Sequence, residues 1–567
     1  MWFDGLERPI KATTVDKYEV GFDAIAIFDQ TDVLPCQPDM PTLLSKVVPA
    51  VDSGATEHML SGIRQMANYV QSEGIELDIG ALILNQRPCT GTYKAQRDPS
   101  DQAIADIITE CRNYWSAVAS PALDSSQLEA LDKSLNLDGC AHLLQGPPGT
   151  GKTQTTVAMI DGLVRVGEKV MVTGPSHGSV DEAMKKAVAS GRFAEVKMLR
   201  HFNQVLNSTQ IRAAFRVMYD EEVLSLQDQR LIDMAVRSSY MDLKEASSLV
   251  RDSQSRTMAA WKVSLAQENS HGRLEPTAAS LATRRSLAYT KLFSGEDLRG
   301  QAALEAKQEW GRADTALGLH VISFVQVVFA TCNSAGHGSL VDLGWQPTVL
   351  FIDECGQATE PDVIVPVAMY SASLHAIFMG GDDQQLPPVV SSKGANEFYD
   401  QLSVSLFTRL AQFGYVEKTM LRNSYRFRPV HCLWSSREFY SGLLESGNHQ
   451  DDDKVVSFQA WAQKTFTKIT GPAQPRIAVD VGNDSRSIDF NGTVSVCNPY
   501  EAAIVIRAAA SLIQSSANLT RGRIAATDIM ILTPYTGQAM LLEQFAAAHG
   551  NIVDGIRICT VIQAQGG

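Results

Sequence analysis

The run Gly146-Pro147-Pro148-Gly149-Thr150-Gly151-Lys152-Thr153 constrains this chain more than any other stretch. It has the G-x-x-x-x-G-K-[ST] form, in which backbone N–H groups surround phosphate oxygens. That chemistry needs a strand before the loop and a helix after it, and both flanks fit. Ala141 to Gln145 contains Leu143 and Leu144 and reads as a short buried strand. Lys152 to Val166 sets Val157, Ile160 and Val164 at helical spacing. A helix opening at Lys152 turns its unpaired amides and positive dipole end toward the phosphates. Gly146, Gly149 and Gly151 let the backbone approach without a Cβ clash. Lys152 would neutralise the β- and γ-phosphates, and the Thr153 hydroxyl would bind Mg2+.

Two later stretches carry complementary chemistry. Thr348-Val349-Leu350-Phe351-Ile352 is an apolar run suited to a central parallel strand buried on both faces. Ligands of open α/β sheets bind beyond the carboxyl ends of such strands, where Asp353 and Glu354 follow. Asp353 is the candidate metal partner with Thr153, and Glu354 the group that orients or deprotonates an attacking water. Gly381-Asp382-Asp383-Gln384-Gln385-Leu386-Pro387-Pro388 could report the γ-phosphate to a second domain. The loop and the acidic pair alone would also fit a ring-forming AAA-type ATPase.

The run Asp353-Glu354-Cys355-Gly356-Gln357-Ala358-Thr359-Glu360-Pro361 and the Gly381 to Pro388 stretch closely resemble motifs II and III of superfamily 1 helicases. The branch they resemble most is the nonsense-mediated-decay and senataxin-like group, whose members move 5′ to 3′. Leu123 to Ala130 is similar to the Q-motif, Val172 to His177 to motif Ia, and Phe329 to Cys332 to motif Ib. Ser405-Leu406-Phe407 and Ser424-Tyr425-Arg426-Phe427-Arg428-Pro429 resemble the start of a second motor domain. Asn498 to Ala502, Leu532 to Tyr535 and Thr560 to Gly566 complete the series in order. The resemblance runs from Leu123 to the last residue.

It implies an α/β fold of two RecA-like P-loop NTPase motor domains in tandem, the second incomplete, with a helical insertion in the first. It also implies an ATP- and Mg2+-dependent helicase or translocase on single-stranded or duplex DNA or RNA. Gln127 would read adenine, and Tyr425 would join the nucleotide-binding residues. Gln385 would sense the γ-phosphate, and Arg426 would reach across the cleft to it. Ser176, Thr331, Pro387, Thr533 and Thr560 would line the nucleic-acid track. The chain departs from the family pattern at Ser424, where glutamine is usual, at Gln384, where lysine is common, and at Ile562, where aspartate is usual. It stops at Gly566-Gly567 inside motif V, so the resemblance implies a motor impaired by loss of motif VI and its arginine. Two alternatives stay open: a nucleotide- and nucleic-acid-binding remnant, and a P-loop ATPase that remodels protein.

The expected division is an accessory region at 1–118, a first motor domain at 119–396 with an insertion at 190–320, and a second motor domain at 397–567. Within the first part, Tyr18 to Phe28 alternates like a strand and Asp101 to Ala117 reads as an amphipathic helix; the resemblance places a reduced β-barrel and stalk there. Strands are expected at Lys169 to Thr173, Val327 to Thr331, Val349 to Ile352 and Ala376 to Met379, then at Ile477 to Val481, Ile529 to Thr533 and Ile556 to Thr560. The insertion is rich in helix formers, with apolar spacing at Leu224, Leu226, Leu231, Met234 and Val236. Its arginines recur, and Arg284-Arg285 is the candidate phosphate contact.

A net charge of −14 opposes nonspecific binding to a polyanion, so any nucleic-acid track must be a local basic groove. The nine cysteines show no C-x-x-C spacing, which argues against a zinc site or disulfide framework and fits an intracellular location, nucleus or cytoplasm. Cys332 and Cys355 read as small buried residues. The longest apolar runs, such as Val321 to Ala330, are too short to span a bilayer, so no membrane partner is expected.

Overall fold

Apolar runs such as Val327 to Thr331 have no polar side to turn to water, so they must lie between two layers of helices. The computed structural model describes residues 101–201, 275–293, 300–336, 343–390, 397–447, 453–466, 476–482 and 495–561, with short pieces elsewhere. Seven strands, drawn from four of these blocks, form one parallel sheet. They are β1 (Ala141–Gln145), β2 (Val170–Gly174), β3 (Met198–Arg200), β4 (Val327–Thr331), β5 (Val349–Ile352), β6 (Ala376–Gly381) and β7 (Glu417–Met420). Their spatial order is β7-β1-β6-β5-β2-β4-β3, and every neighbouring pair is parallel.

The period-two rule of a strand sorts its residues onto two cores. Leu143, Leu350, Ile377 and Met379 face one cluster, which includes Val363, Val367, Leu406 and Phe407. Leu144, Phe351 and Phe378 face the other, with Val157, Leu163 and Ala130. Phe351 stacks on Phe378 with ring centroids 4.9 Å apart. Burial of side chains this size supplies about 2 kcal/mol each, which fixes the register between β5 and β6.

Four helices hold the working end of the sheet: α1 (Gln102–Asn113), α2 (Ser125–Leu135), α3 (Lys152–Arg165) and α4 (His177–Ala189). The helix expected from Asp101 is α1, capped by the Asp101 side chain and continued by a wider turn at Tyr114–Val118. The strands expected in the first domain are all present within a residue or two of their expected ends. In the second, β8 (Met530–Thr533) and β9 (Arg557–Thr560) pair in parallel, with Thr533 opposite Thr560. Helices Pro499–Ser516 and Thr536–His549 close on them around Ala502, Ile506, Ile531 and Leu542.

Several expectations need correction. Ile477 to Val481 is not a strand: these residues form no ladder, and Val479 is exposed. Alternation there imitates a strand without a partner to pair it. Part of the stretch expected in the second motor domain packs with the first lobe. Helix Leu406–Phe413 packs into the first core, and β7 is the edge strand beside β1, so residues 405–420 complete the first lobe. Arg285 cannot meet a phosphate. It is 2 % exposed, and its Nε lies 2.6 Å from Asp314, which also takes Lys262 Nζ at 2.5 Å. Cys140 is disulfide-bonded, whereas Cys111, Cys332, Cys355, Cys432, Cys497 and Cys559 are free and buried. Burial pushes the Cys332 thiol up to about 12, in keeping with an inert core residue.

Of the strand expected at Tyr18 to Phe28, Ala26–Phe28 is described and pairs antiparallel with Ala12–Thr14. The apolar positions Leu224 to Val236 lie outside the described residues, while α5 (Pro276–Phe293) and α6 (Gly300–Ser323) give the insertion its helical character. Among the described residues, no helix is long and apolar enough to cross a membrane.

Asp161 on α3 ties the outer layer together. It is 1 % exposed and accepts from Trp115 Nε1 at 2.9 Å, Arg165 Nε at 2.7 Å and Arg192 Nε at 2.8 Å. Arg192 in turn grips Glu110 and lies 4.1 Å from the Tyr114 ring centroid. Removing one member of such a buried network leaves its partners uncompensated. Asp161→Ala should cost roughly 3–5 kcal/mol in denaturant unfolding, and a loss under about 1 kcal/mol would show that water satisfies the arginines.

Candidate functional site

Five segments that bear chemistry leave the carboxyl ends of neighbouring strands. Three of them meet at Lys152. The loop after β1 ends at Gly151, the N-cap of α3, whose φ is 77° and which has no side chain to cap the helix. The first-turn amides of α3 are therefore not taken up by a side-chain cap, which is the arrangement an anion needs. Lys152 Nζ lies 2.7 Å from Asp353 Oδ1 and 2.6 Å from Glu354 Oε1. Burial alone would lower the lysine's pKa, but the two carboxylates reverse the sign and hold it above the ordinary lysine range.

This contact has to cross β6, which lies between β1 and β5. It can do so because β6 ends in glycine. A Cβ on Gly380 would sit 3.3 Å from Asp353 Oδ1 and 3.6 Å from Lys152 Cδ, inside the bridge itself. Glu354 is one of two non-glycine residues with positive φ among those described, at 51°. Its backbone is held there by Glu354 N–H donating to Asp353 Oδ1 at 2.9 Å and Cys355 N–H donating to Gly380 O at 2.8 Å. Strain of this kind persists where the surroundings over-determine it, and here it aims a carboxylate at the phosphate loop.

The Q-motif-like segment packs under the same loop. Gln127 is buried; its Nε2 donates to Thr150 O at 3.0 Å, and its Oε1 accepts from Asp124 N at 2.9 Å. Asp124 caps α2 and accepts from Ser126, Asn423 and Tyr425. Burial would raise that carboxyl, yet these hydrogen bonds together hold it below its usual range.

Residues 423–426 sit directly on the loop. The Tyr425 N–H donates to Gly149 O at 2.8 Å, and the Ser424 hydroxyl donates to Pro148 O at 2.8 Å. The serine that replaces the family's glutamine thus still binds the loop, through its carbonyl. Gly149 has a φ of 77°, and a Cβ there would overlap Arg426 Cβ. Arg426 is thereby seated beside the phosphate loop with its side chain exposed. Gln385 Nε2 donates to Asp382 Oδ2 at 2.8 Å, with Gln145 and Tyr440 on the same carboxylate.

The other named residues divide by exposure. Ser176 and Pro387 are exposed, and Ser176 caps α4 by accepting from Ser179 N–H at 3.2 Å. Thr331, Thr533 and Thr560 are buried at strand ends, and Thr331 accepts from Ser334 N–H. Thr331 pairs in register with Gly174, so the motif Ia-like and Ib-like loops are adjacent. Asn423 and Tyr440 escaped sequence reading, because nothing in their spacing marks a partner more than fifty residues away. Thr153, next to Lys152 on α3, and Asp353, bonded to Lys152, carry hard oxygen donors of the kind Mg2+ takes, an ion that relies on few protein ligands alongside phosphate.

Family models described as "AAA domain" match residues 122–393 and 402–567. A regulator of nonsense transcripts 1 homolog from Drosophila melanogaster is 27 % identical over 457 residues, covering 80 % of this chain and 31 % of that protein. An Arabidopsis thaliana protein of the same name is 25 % identical over 436 residues, 76 % of this chain and 28 % of its own length. The helicase SEN1 of Saccharomyces cerevisiae is 24 % identical over 492 residues, 76 % of this chain and 20 % of its own. The chain thus spans under a third of the length of these relatives.

The close approach at Gly149 can be read directly. Gly149→Ala strains the left-handed backbone and pushes residues 424–426 off the loop. Amide exchange at Tyr425 should quicken at least tenfold while β5 and β6 stay protected. Unchanged protection at Tyr425 would mean that its bond to Gly149 O does not hold the segment.

Proposed function

The chain belongs to the superfamily 1 helicases, and from that membership we propose that it couples ATP hydrolysis to movement along, or unwinding of, nucleic acid. The observation that carries the reading is the Lys152 ammonium held by Asp353 and Glu354 with the Arg426 segment bonded to the same loop. A nucleoside triphosphate suits this place because it competes for the ammonium and for the amides of α3. Its phosphates would take over Lys152 and free the carboxylates for their own work.

Glu354 would then hold the attacking water and accept its proton, aimed by its fixed backbone. The Thr153 hydroxyl and Asp353 carboxylate would hold Mg2+, which supplies charge neutralisation on the phosphate oxygens. Arg426 would stabilise charge developing on the γ-phosphate, a role worth about 10³–10⁵ in turnover in related nucleotide hydrolases. Tyr425 and Gln127 would border the base, and Gln385 would report the terminal phosphate.

Nucleic acid would run over the exposed segments at Ser176 and Pro387 and the loops that Thr331, Thr533 and Thr560 anchor. Those threonines would act through the backbone they hold, since their side chains are buried. A track formed by strand-end loops requires only a local basic groove, which reconciles it with the acidic chain.

Hydrolysis measured with and without single-stranded DNA or RNA tests the reading. Lys152→Ala should remove measurable turnover and weaken nucleotide binding. Glu354→Gln should keep binding and lose about a thousandfold or more in turnover. A lysine variant that binds tightly and hydrolyses normally would overturn the assignment, and turnover indifferent to nucleic acid would favour a P-loop ATPase of another kind.

A further inference from the structure

Asp382 is an acceptor used from four sides near the phosphate loop. Its Oδ1 accepts from Gln145 Nε2 at 3.3 Å and from the Gln384 N–H at 3.2 Å. Its Oδ2 accepts from Gln385 Nε2 at 2.8 Å and from the Tyr440 hydroxyl at 2.7 Å. A carboxylate offers about four acceptor sites, so these four donors fill it. Asp382 is 5 % exposed and Tyr440 6 %. Neither belongs to the nucleotide-contacting set described above.

Tyr440 reaches Asp382 from the far end of a rigid element. Helix α7 (Pro429–Phe439) starts three residues after Arg426, and Tyr440 is its C-cap, with its N–H bonded to Ser436 O. The phenol ring is packed among Cys432, Leu444, Met420 and Phe427, which fixes where the hydroxyl can point. Burial, reinforced by Asp382, holds that hydroxyl far above the ordinary tyrosine range, so it stays a donor. The segment from Arg422 to Gly447 therefore grips the first lobe at two places. One end bonds the phosphate loop and Asp124 through Ser424 and Tyr425. The other bonds the carboxylate that orients Gln385.

We propose that Tyr440 is a positioning residue: by sharing Asp382 Oδ2 it sets the Gln385 amide for its phosphate contact and ties that glutamine to the segment bearing Arg426. An amide NH2 carries two hydrogens, and directing one to Asp382 fixes the direction of the other. Without the tyrosine hydroxyl, Asp382 can rotate toward its remaining donors, and Gln385 loses its set orientation. The geometry makes the glutamine and the arginine segment respond together, which is what a phosphate sensor needs if it is to signal to a moving lobe. The inference rests on the reading of Gln385 as the γ-phosphate sensor.

The test compares the full chain with Tyr440→Phe, Gln385→Ala and the double variant, in magnesium. Affinities for ADP and for a non-hydrolysable ATP analogue are titrated for each. Phenylalanine keeps the ring in its apolar cluster, so a structural role alone would leave both affinities unchanged or lower them in step. The expected result is a fall of about tenfold in the triphosphate-over-diphosphate preference, with ADP affinity within about twofold of the parent. The double variant should match Gln385→Ala alone, because both changes break one connection. An unaltered preference in Tyr440→Phe, a parallel loss of ADP affinity, or full additivity would overturn the proposal. So would a parent chain without the preference. A parent that shows the preference but no nucleic-acid-stimulated hydrolysis would overturn the motor reading and leave the Tyr440 role standing.

Discussion

A lysine ammonium taken out of water must find negative charge close by, or it will not stay charged. Lys152 finds it in two carboxylates that arrive from another strand, 2.7 and 2.6 Å away. The cost of taking the ammonium and Asp353 out of water, with Glu354 half-buried beside them, is offset only by good geometry, and that requirement reaches into the fold. Strand β6 must pass beneath the bridge without a side chain, which explains Gly380. Glu354 must adopt a backbone conformation that ordinary residues avoid. The stacked pair Phe351 and Phe378 keeps β5 and β6 in the register that puts these parts level. Phosphate chemistry and core packing are thus one problem in this lobe.

A second constraint works across the loop. Residues 421–447 follow the edge strand β7, so the chain that finishes the sheet also supplies the groups that cover the nucleotide place. Leu421 N–H donates to Gln145 O, Arg422 N–H to Ser126, and Tyr425 N–H to Gly149 O. One covalent segment therefore touches the Q-motif-like turn, the phosphate loop and, through Tyr440, the Gln385 loop. Each contact is worth about 1 kcal/mol net, small enough for a ligand with several charges to rearrange the set.

The motifs were legible because their spacing and flanks carry the chemistry. Gly146 to Thr153, Asp353 with Glu354, and Asp382 to Gln385 all follow apolar runs that became β1, β5 and β6. Two misreadings share one cause. Ile477 to Val481 alternates but has no ladder, and Arg285 looked like a surface cation and is paired with Asp314. In both, the deciding fact, a missing ladder or a carboxylate 29 residues away, lies outside the segment itself. Local pattern describes what a segment can do, and the partner decides what it does.

The sequence by itself determined the order of the working parts, the two-domain α/β character and the residue types that the proposed chemistry would use for a phosphate, a metal and a water. Those properties depend on local spacing, since a strand, a glycine loop and a helix N-terminus are neighbours along the chain. Only the tertiary structure decided that Lys152 bridges over Gly380, that Ser424 and Tyr425 bond the loop, and that Tyr440 and Gln385 share Asp382. These depend on strand order and on a turn of backbone at Glu354, which are set by the packing of the whole sheet and are written in no single segment.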